Sequence, residues 1–156
     1  MFYQVQSKEN TMTQTNATPT VSAALIVNLT PHGITLLDQA TKVTFGENDK
    51  FKSTPLANLE DLIVLRELPI DGLARVGKKV VDSTEIDGIL TEMAEFSAIN
   101  GLPDPVDGTF FVVSALIVSA AVSQGRSTSD LLTPGTTVRN SSNPSQVLGT
   151  FKLQRN

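Results

Sequence analysis

Cysteine and tryptophan are absent from the 156 residues, and histidine occurs once, at His32. Without cysteine the chain forms no disulfide and supplies no thiolate for catalysis or metal binding. Zinc sites draw about three protein ligands from histidine, cysteine and carboxylate side chains, so one histidine and no cysteine disfavour a zinc centre. The chemistry open to this chain therefore rests on carboxylates, hydroxyls and arginines.

Positive charge is also scarce, because 12 Lys and Arg face 16 Asp and Glu and give a net charge of −4. A nucleic-acid-binding surface normally needs a basic stripe, so we expect no nucleic-acid partner. The apolar stretch at residues 110–122 is shorter than the roughly 20 residues of a spanning helix, and we expect no membrane partner. The start of the chain lacks the pattern of a signal peptide, which predicts a cytoplasmic location.

Motifs for catalysis and nucleotide binding are missing as well. There is no G-x-S-x-G elbow, although the many serines leave a Ser-His-acid set open, and no glycine-rich phosphate loop. His32 lies in a Pro-His-Gly segment, where a lone histidine ring is typically bonded to backbone. Asp104 and Asp107 share a loop rich in Pro and Gly, where aspartate serves turn geometry more often than metal binding. We therefore expect no enzyme activity, no cofactor and no metal.

What the sequence does contain is an apolar stretch that predicts a strand followed by a helix. Phe110–Val113 is aromatic and β-branched, which indicates a strand buried on both faces. Ser114 is suited to cap a helix, and Ala115–Gln124 carries no charged residue. Such a helix should be mostly buried, with Leu116 in the core, and Gly125 is suited to end it.

The rest of the chain predicts strands behind a polar tail. Residues 1–20 are rich in Thr, Asn and Gln, which is typical of disordered segments, and residues 21–156 should form a single domain. Strands near residues 21–29, 34–37 and 41–45 suggest an antiparallel meander, and residues 138–139 and 146–153 suggest a final hairpin. Residues 56–68 fit either a strand or a helix, and we favour a helix. The predicted fold is α+β, a compact and mostly antiparallel sheet packed on one short buried helix at about residues 114–124.

Arginines are the candidates for ligand recognition, because a guanidinium grips phosphate with two parallel hydrogen bonds. Arg75 falls in a predicted strand, Arg126 follows the helix, and Arg139 follows a Pro-Gly turn. Phe110 or Phe111 is a candidate to stack on a base. The alternative is that the arginines pair with nearby acids such as Asp130 and that both phenylalanines are core residues.

Several ordered blocks resemble a family of small, largely uncharacterised proteins found in bacteria and their phages. The blocks cover roughly residues 25–153 and read V-N-L-T-P-H (27–32), L-A-R-V (73–76), G-L-P-D-P (101–105), T-F-F-V-V-S-A-L-I-V (109–118) and D-L-L-T-P-G-T-T-V-R (130–139). The resemblance implies a setting linked to phages and carries over no catalytic residue.

Two hypotheses follow for function, of which we favour the first by a small margin, and in both we expect the chain to form a homo-oligomer. The first is a binder without enzyme activity in the host cytoplasm, such as an anti-defence sponge that sequesters a nucleotide immune signal. Its candidate ligand-binding residues are Arg75 and Arg139 for phosphates, Thr136 or Thr137 for the ribose, and Phe111 for the base. The second is a structural protein of the virion, such as a decoration or cement subunit. The small residues Ala115, Ser119 and Ser123 share one side of the helix and suggest close packing against a second copy or against the chain's own sheet.

Overall fold

The computed structural model describes residues 24–156, so the predicted tail and the first residues of the predicted first strand lie outside the described part of the chain. The described part contains strands and one α-helix. In chain order they are β1 (Leu25–Asn28), β2 (Ile34–Leu37), β3 (Thr44–Phe45), β4 (Pro55–Ala57), β5 (Val64–Leu68), β6 (Lys78–Ile86), β7 (Ile89–Phe96), β8 (Thr109–Val112), α1 (Ala115–Ser123), β9 (Leu131–Pro134), β10 (Thr137–Asn140), β11 (Asn143–Thr150) and β12 (Leu153–Arg155).

A four-stranded sheet with the order β1-β8-β9-β12 carries the central stretch of the sequence. β8 pairs in parallel with β1 on one side and with β9 on the other, and α1 connects β8 to β9. Parallel neighbours need a crossover connection of this kind, and a helix supplies it. Phe111 and Val113 pack towards α1, whereas Val112 packs with Leu68 and Leu132 in a different cluster. β8 is therefore buried on both faces, as its sequence predicts.

The helix is confirmed, but its burial is confined to one face. Ser114 caps it by accepting a hydrogen bond from the backbone N–H of Ile117, and Gly125 follows it with a φ of 77°. Ile117 is 3% exposed and packs on the four-stranded sheet, whereas Leu116 is 48% exposed and Val122 65%. The expectation that Leu116 belongs to the core is therefore wrong, because the uncharged helix turns two large apolar side chains to its open side.

A six-stranded sheet with the order β3-β4-β10-β11-β2-β5 forms the other large layer. The cluster of Leu68, Val112 and Leu132 includes residues of both sheets and marks where they pack together. β2 pairs with β5 and β11 here, whereas β1 lies in the four-stranded sheet, so the predicted meander of β1, β2 and β3 is wrong. The predicted helix at residues 56–68 is also wrong, since that stretch forms β4, a single 3-10 turn at Leu59–Asp61 and β5.

The final hairpin is confirmed as the antiparallel pair of β10 and β11. Five of the nine strand pairings in residues 24–156 are antiparallel and four are parallel. The α+β class is therefore confirmed, with mixed sheets in place of one sheet.

A third, two-stranded sheet consists of β6 and β7, which pair only with each other in the described residues; we call it the hairpin arm. Its turn is Asp87-Gly88, with φ values of 51° and 76°. Positive φ at both turn positions defines the type I′ turn, which matches the twist of paired strands and favours Asp-Gly. Gly88 therefore supplies the second positive-φ position of the turn that joins β6 to β7.

The sequence blocks that carry the family resemblance meet in and around the four-stranded sheet. The backbone of residues 71–74 lies against the end of β1, since the amides of Asp71 and Ala74 donate to the carbonyls of Asn28 and Leu29. Arg75 and Asn100 exchange two backbone hydrogen bonds of 2.8 Å, which joins L-A-R-V to the segment before G-L-P-D-P. Backbone hydrogen bonds thus bring the first three blocks together beside the four-stranded sheet.

Candidate functional site

A buried asparagine organises the turn that follows β1. Asn28 is 1% exposed, and its side-chain amide donates to the carbonyls of His32 (2.9 Å) and Leu68 (3.0 Å). Its side-chain oxygen accepts from the backbone N–H and the hydroxyl of Thr30, at 2.9 and 2.7 Å. Buried polar groups are costly unless they are paired, and this side chain pairs both of its ends. The residues N-L-T-P-H therefore fix the turn at Thr30–Gly33.

This turn forms one wall of a cavity of about 520 Å³ between β2, β10–β11 and the start of α1. We call it the hydroxyl cavity, because side chains with hydroxyl groups contribute much of its polar lining. The polar residues in the lining are Thr30, His32, Thr35, Ser114, Thr137 and Thr150. Thr150 is committed to the fold, since its hydroxyl donates to the carbonyls of Thr136 and Lys152. His32 is fixed in the turn through its backbone carbonyl, which accepts hydrogen bonds from the side chains of Asn28 and Thr30.

A second cavity of about 410 Å³ adjoins the hydroxyl cavity, and the two share Ser114. Arg75, Leu116 and Ile117 line it together with Pro31. The structure therefore brings two of the predicted ligand-binding residues, Arg75 and Thr137, to neighbouring cavities on either side of the helix N-terminus.

Arg139 lies in a different place, in a cavity of about 360 Å³ that we call the basic cavity. Its lining includes Lys50, Phe51 and Thr54 together with Pro144 and Ser145. The guanidinium donates to the carbonyls of Pro144 (3.1 Å) and Ser145 (3.4 Å), so it braces the turn between β10 and β11. Lys50 Nζ lies 5.2 Å from the centre of the Phe51 ring.

The remaining predicted ligand-binding residues, Phe111 and Thr136, contribute to the fold. Phe111 is 4% exposed in the cluster beneath α1, so its ring has no free face for a base in this structure. Thr136 is exposed, and its carbonyl accepts from Thr150. The predicted residues therefore do not form one site: Arg75 and Thr137 line two cavities that share Ser114, Arg139 lines another cavity, and Phe111 is in the core.

For Arg126 the alternative interpretation is confirmed. Its guanidinium binds Asp130 through two hydrogen bonds of 2.7 and 3.0 Å and donates to the carbonyl of Pro103 at 2.7 Å. The pair is partly buried, and the bidentate arrangement is the stronger form of such a contact. It ties the G-L-P-D-P loop to the start of β9.

The surface feature that sequence reasoning missed is the hairpin arm. All nine residues of β6 and six of the eight in β7 are exposed. Large apolar side chains are among them, with exposed fractions of 61% for Ile86, 65% for Ile89, 68% for Leu90 and 62% for Met93. The Asp-Gly turn between alternating residues was the signal that could have found it.

Within residues 24–156 no group of three or more His, Asp and Glu side chains is placed to hold a metal ion. In the same range no helix is long and apolar enough to cross a membrane. Comparisons of the chain with family models, with curated proteins and with solved structures found no match. The family resemblance therefore stays a prediction from the sequence blocks.

Proposed function

We propose that the chain is an assembly protein without enzyme activity, which makes protein–protein contacts through the hairpin arm. One observation carries the proposal: a long hairpin has no neighbouring strand in the described chain and exposes large apolar side chains on both faces. A two-stranded hairpin alone is at best marginally stable in water, and contiguous exposed apolar surface is typical of interaction sites.

The setting we propose is the virion, as a decoration, cement or other assembly subunit. The phage setting rests on the resemblance of the sequence blocks, and the arm supports the structural hypothesis over the binder. Of the predicted ligand-binding residues, Arg139 and Arg75 line separate cavities and Phe111 is buried, so a single nucleotide site built from all of them has no support in the geometry.

The arm is tested by placing a charge on it. Leu90→Asp adds a carboxylate to an exposed apolar position and removes no contact of the core. We expect the unmodified full chain to give at least one of two results: a mass above that of one chain in light scattering, or its presence in purified phage particles. Leu90→Asp should lose whichever of these results the unmodified chain gives. The matched control is Val106→Asp, at an exposed apolar position in the loop before β8, which should change neither.

If the unmodified chain is monomeric at every concentration and is absent from particles, the assembly function is wrong. It is also wrong if Leu90→Asp keeps full association and full incorporation into particles.

A second candidate function is the binding of a phosphate-bearing small molecule such as a nucleotide immune signal. The specific observation in its favour is that Arg75 and Thr137 line cavities that share Ser114 at the N-terminus of α1. Helix N-termini favour anions, and Arg75 would add a charge-assisted contact.

This second candidate makes a prediction that separates the arginines. Losing one arginine–phosphate contact worth about 1.5–3 kcal/mol should weaken binding roughly 10- to 100-fold. In calorimetry with a panel of cyclic nucleotides and ADP-ribose derivatives, Arg75→Ala should show this loss, whereas Arg139→Ala should bind as the unmodified chain does. Absence of heat with the unmodified chain across the panel would remove the candidate.

A further inference from the structure

The hairpin arm combines exposed apolar side chains with carboxylates. Residues alternate between the two faces of a strand, so Leu90 and Glu92 lie on one face of β7, and Ile89 and Met93 lie on the other. Exposed apolar residues of this size on both faces cannot be covered by a single layer of the chain's own core. The arm therefore needs a partner that offers an apolar contact.

The charges of the arm restrict what that partner is. The arm carries five carboxylates, Asp82, Glu85, Asp87, Glu92 and Glu95, against two lysines, Lys78 and Lys79, which lie at the end of the hairpin far from its turn. A symmetric contact of arm against arm would bring ten such groups together, and like charges at close range repel each other. The partner surface should therefore combine apolar side chains with positive charge.

A surface of that kind exists on the chain itself, at the edge of the six-stranded sheet. The basic cavity is lined by Lys50, Arg139 and the partly exposed Phe51, and its lining holds no carboxylate. Phe45, in the edge strand β3, is 58% exposed, and the Gly46 amide that follows it donates to the carbonyl of Phe51. An aromatic surface with cations beside it complements an aliphatic surface with carboxylates beside it.

The arm and the basic cavity belong to different parts of the molecule. The arm meets the rest of the chain next to the end of α1, where the Gln124 side chain donates to the carbonyl of Ser97 at 2.8 Å. The basic cavity lies at the β10–β11 turn and the loop between β3 and β4. An arm would therefore reach the cavity of another copy.

We propose that the hairpin arm of one copy docks on the basic cavity of a second copy, through Leu90, Glu85 and Glu92 on the arm and Lys50, Phe51 and Phe45 at the cavity. This inference rests on the proposed assembly function and names its partner. Two different surfaces meet in such a contact, so it is heterologous and builds a ring or an open chain of copies in place of a two-fold dimer.

The experiment uses two full-length variants, each with one damaged surface. Leu90→Asp damages the arm and leaves the cavity intact, and Lys50→Glu damages the cavity and leaves the arm intact. Each alone should raise the concentration needed for association at least tenfold in sedimentation and light scattering. The charge-reversal control is Arg155→Glu, at an exposed position in β12, and it should associate as the unmodified chain does.

Mixing the two variants gives the decisive result. The intact arm of Lys50→Glu can dock on the intact cavity of Leu90→Asp, and no other intact contact remains. The mixture should therefore form dimers of one copy of each variant and nothing larger. A contact between two arms would give no pair of unlike variants, and Lys50→Glu would then associate by itself as the unmodified chain does. Absence of the pair therefore overturns the proposal.

The remaining outcomes separate this inference from the assembly function. If Leu90→Asp abolishes association while Lys50→Glu leaves it unchanged, the arm has another partner, so the inference is wrong and the assembly function stands. A monomeric unmodified chain that still enters particles through its arm leads to the same conclusion. If Leu90→Asp changes the melting temperature, Glu85→Lys with Glu92→Lys takes its place, and it should lose association in the same way.

Discussion

Two regions of the molecule differ in how their side chains are covered. One is the four-stranded sheet with its helix, and the other is the hairpin arm. In the first region Phe111, Val113 and Ile117 are buried, and the buried Asn28 has partners for its oxygen and its amide group. In the arm the apolar side chains are exposed, and the strands pair only with each other in the described residues. The first region is complete within one chain, and the arm is the region that a partner would complete.

The largest effect should come from Gly101, which holds the packed region together at a backbone contact. Its φ is 84°, and a side chain at this position would collide with the carbonyl oxygen of Leu73. Gly101→Ala should lower the free energy of unfolding by about 3 kcal/mol or more, at the upper end for single substitutions. Denaturant unfolding measures this.

The control for Gly101 is Gly108, whose φ of 78° is similar but whose position has no neighbouring atom within 4 Å of an added Cβ. Gly108→Ala should cost only the left-handed conformation, roughly 1–2 kcal/mol. Equal losses for the two variants would mean that the Leu73 contact has no role.

The next largest loss of stability should come from α1, where two neighbouring residues lie on different faces of the helix. Ile117→Ala should destabilise the fold by about 2–5 kcal/mol, as expected for a large side chain removed from a core. Leu116→Ala should cost less than about 1 kcal/mol, because half of the side chain is already exposed. A loss at Leu116 as large as that at Ile117 in thermal or denaturant unfolding would show that the outer face of α1 is covered in solution.

A smaller effect is expected at Asn28, where the loss is polar. Asn28→Ala leaves Thr30 and the carbonyls of His32 and Leu68 without their partner, and an unsatisfied buried group costs about 1–3 kcal/mol. Thr35→Ala is the control, because it removes a hydrogen bond to Glu67 at the surface and should change stability by roughly 0.5 kcal/mol or less. A chemical denaturation series on the two variants would contradict this if both gave the smaller value.

Sequence patterns were sufficient to predict the elements that neighbouring residues specify. The run Phe110–Val113, the cap at Ser114 and the stop at Gly125 each carry a local signal, and the structure has all three. The α+β class followed from them. The boundary between exposed and buried helix faces did not follow, because Leu116 and Ile117 are both apolar and only the position of the sheet decides between them.

Long-range pairing is what the sequence could not supply. β2 pairs with β5 and β11, which are distant in the chain, and nothing near Ile34–Leu37 marks those partners. The same limit applied to the candidate site. Arg75 and Arg139 are both predicted to bind phosphate, yet they line separate cavities, because Arg75 forms an isolated bridge with Asn100 whereas Arg139 lies in β10 of the six-stranded sheet.

The smallest effect on global stability should come from the turn of the arm, and it tests whether the arm is independent of the packed region. Gly88 has a φ of 76° and no atom within 4 Å of an added Cβ, so Gly88→Ala strains the turn without a collision. The strain is worth roughly 1–2 kcal/mol, which is enough to open a hairpin that is marginally stable by itself. Amide hydrogen exchange within residues 78–96 should therefore become about tenfold faster or more, while the melting temperature stays within the error of the control Asp87→Asn, which keeps a residue suited to positive φ. A melting temperature that falls with Gly88→Ala would contradict the independence of the arm, because strain at its tip can reach the core only through contacts that bind the two regions together.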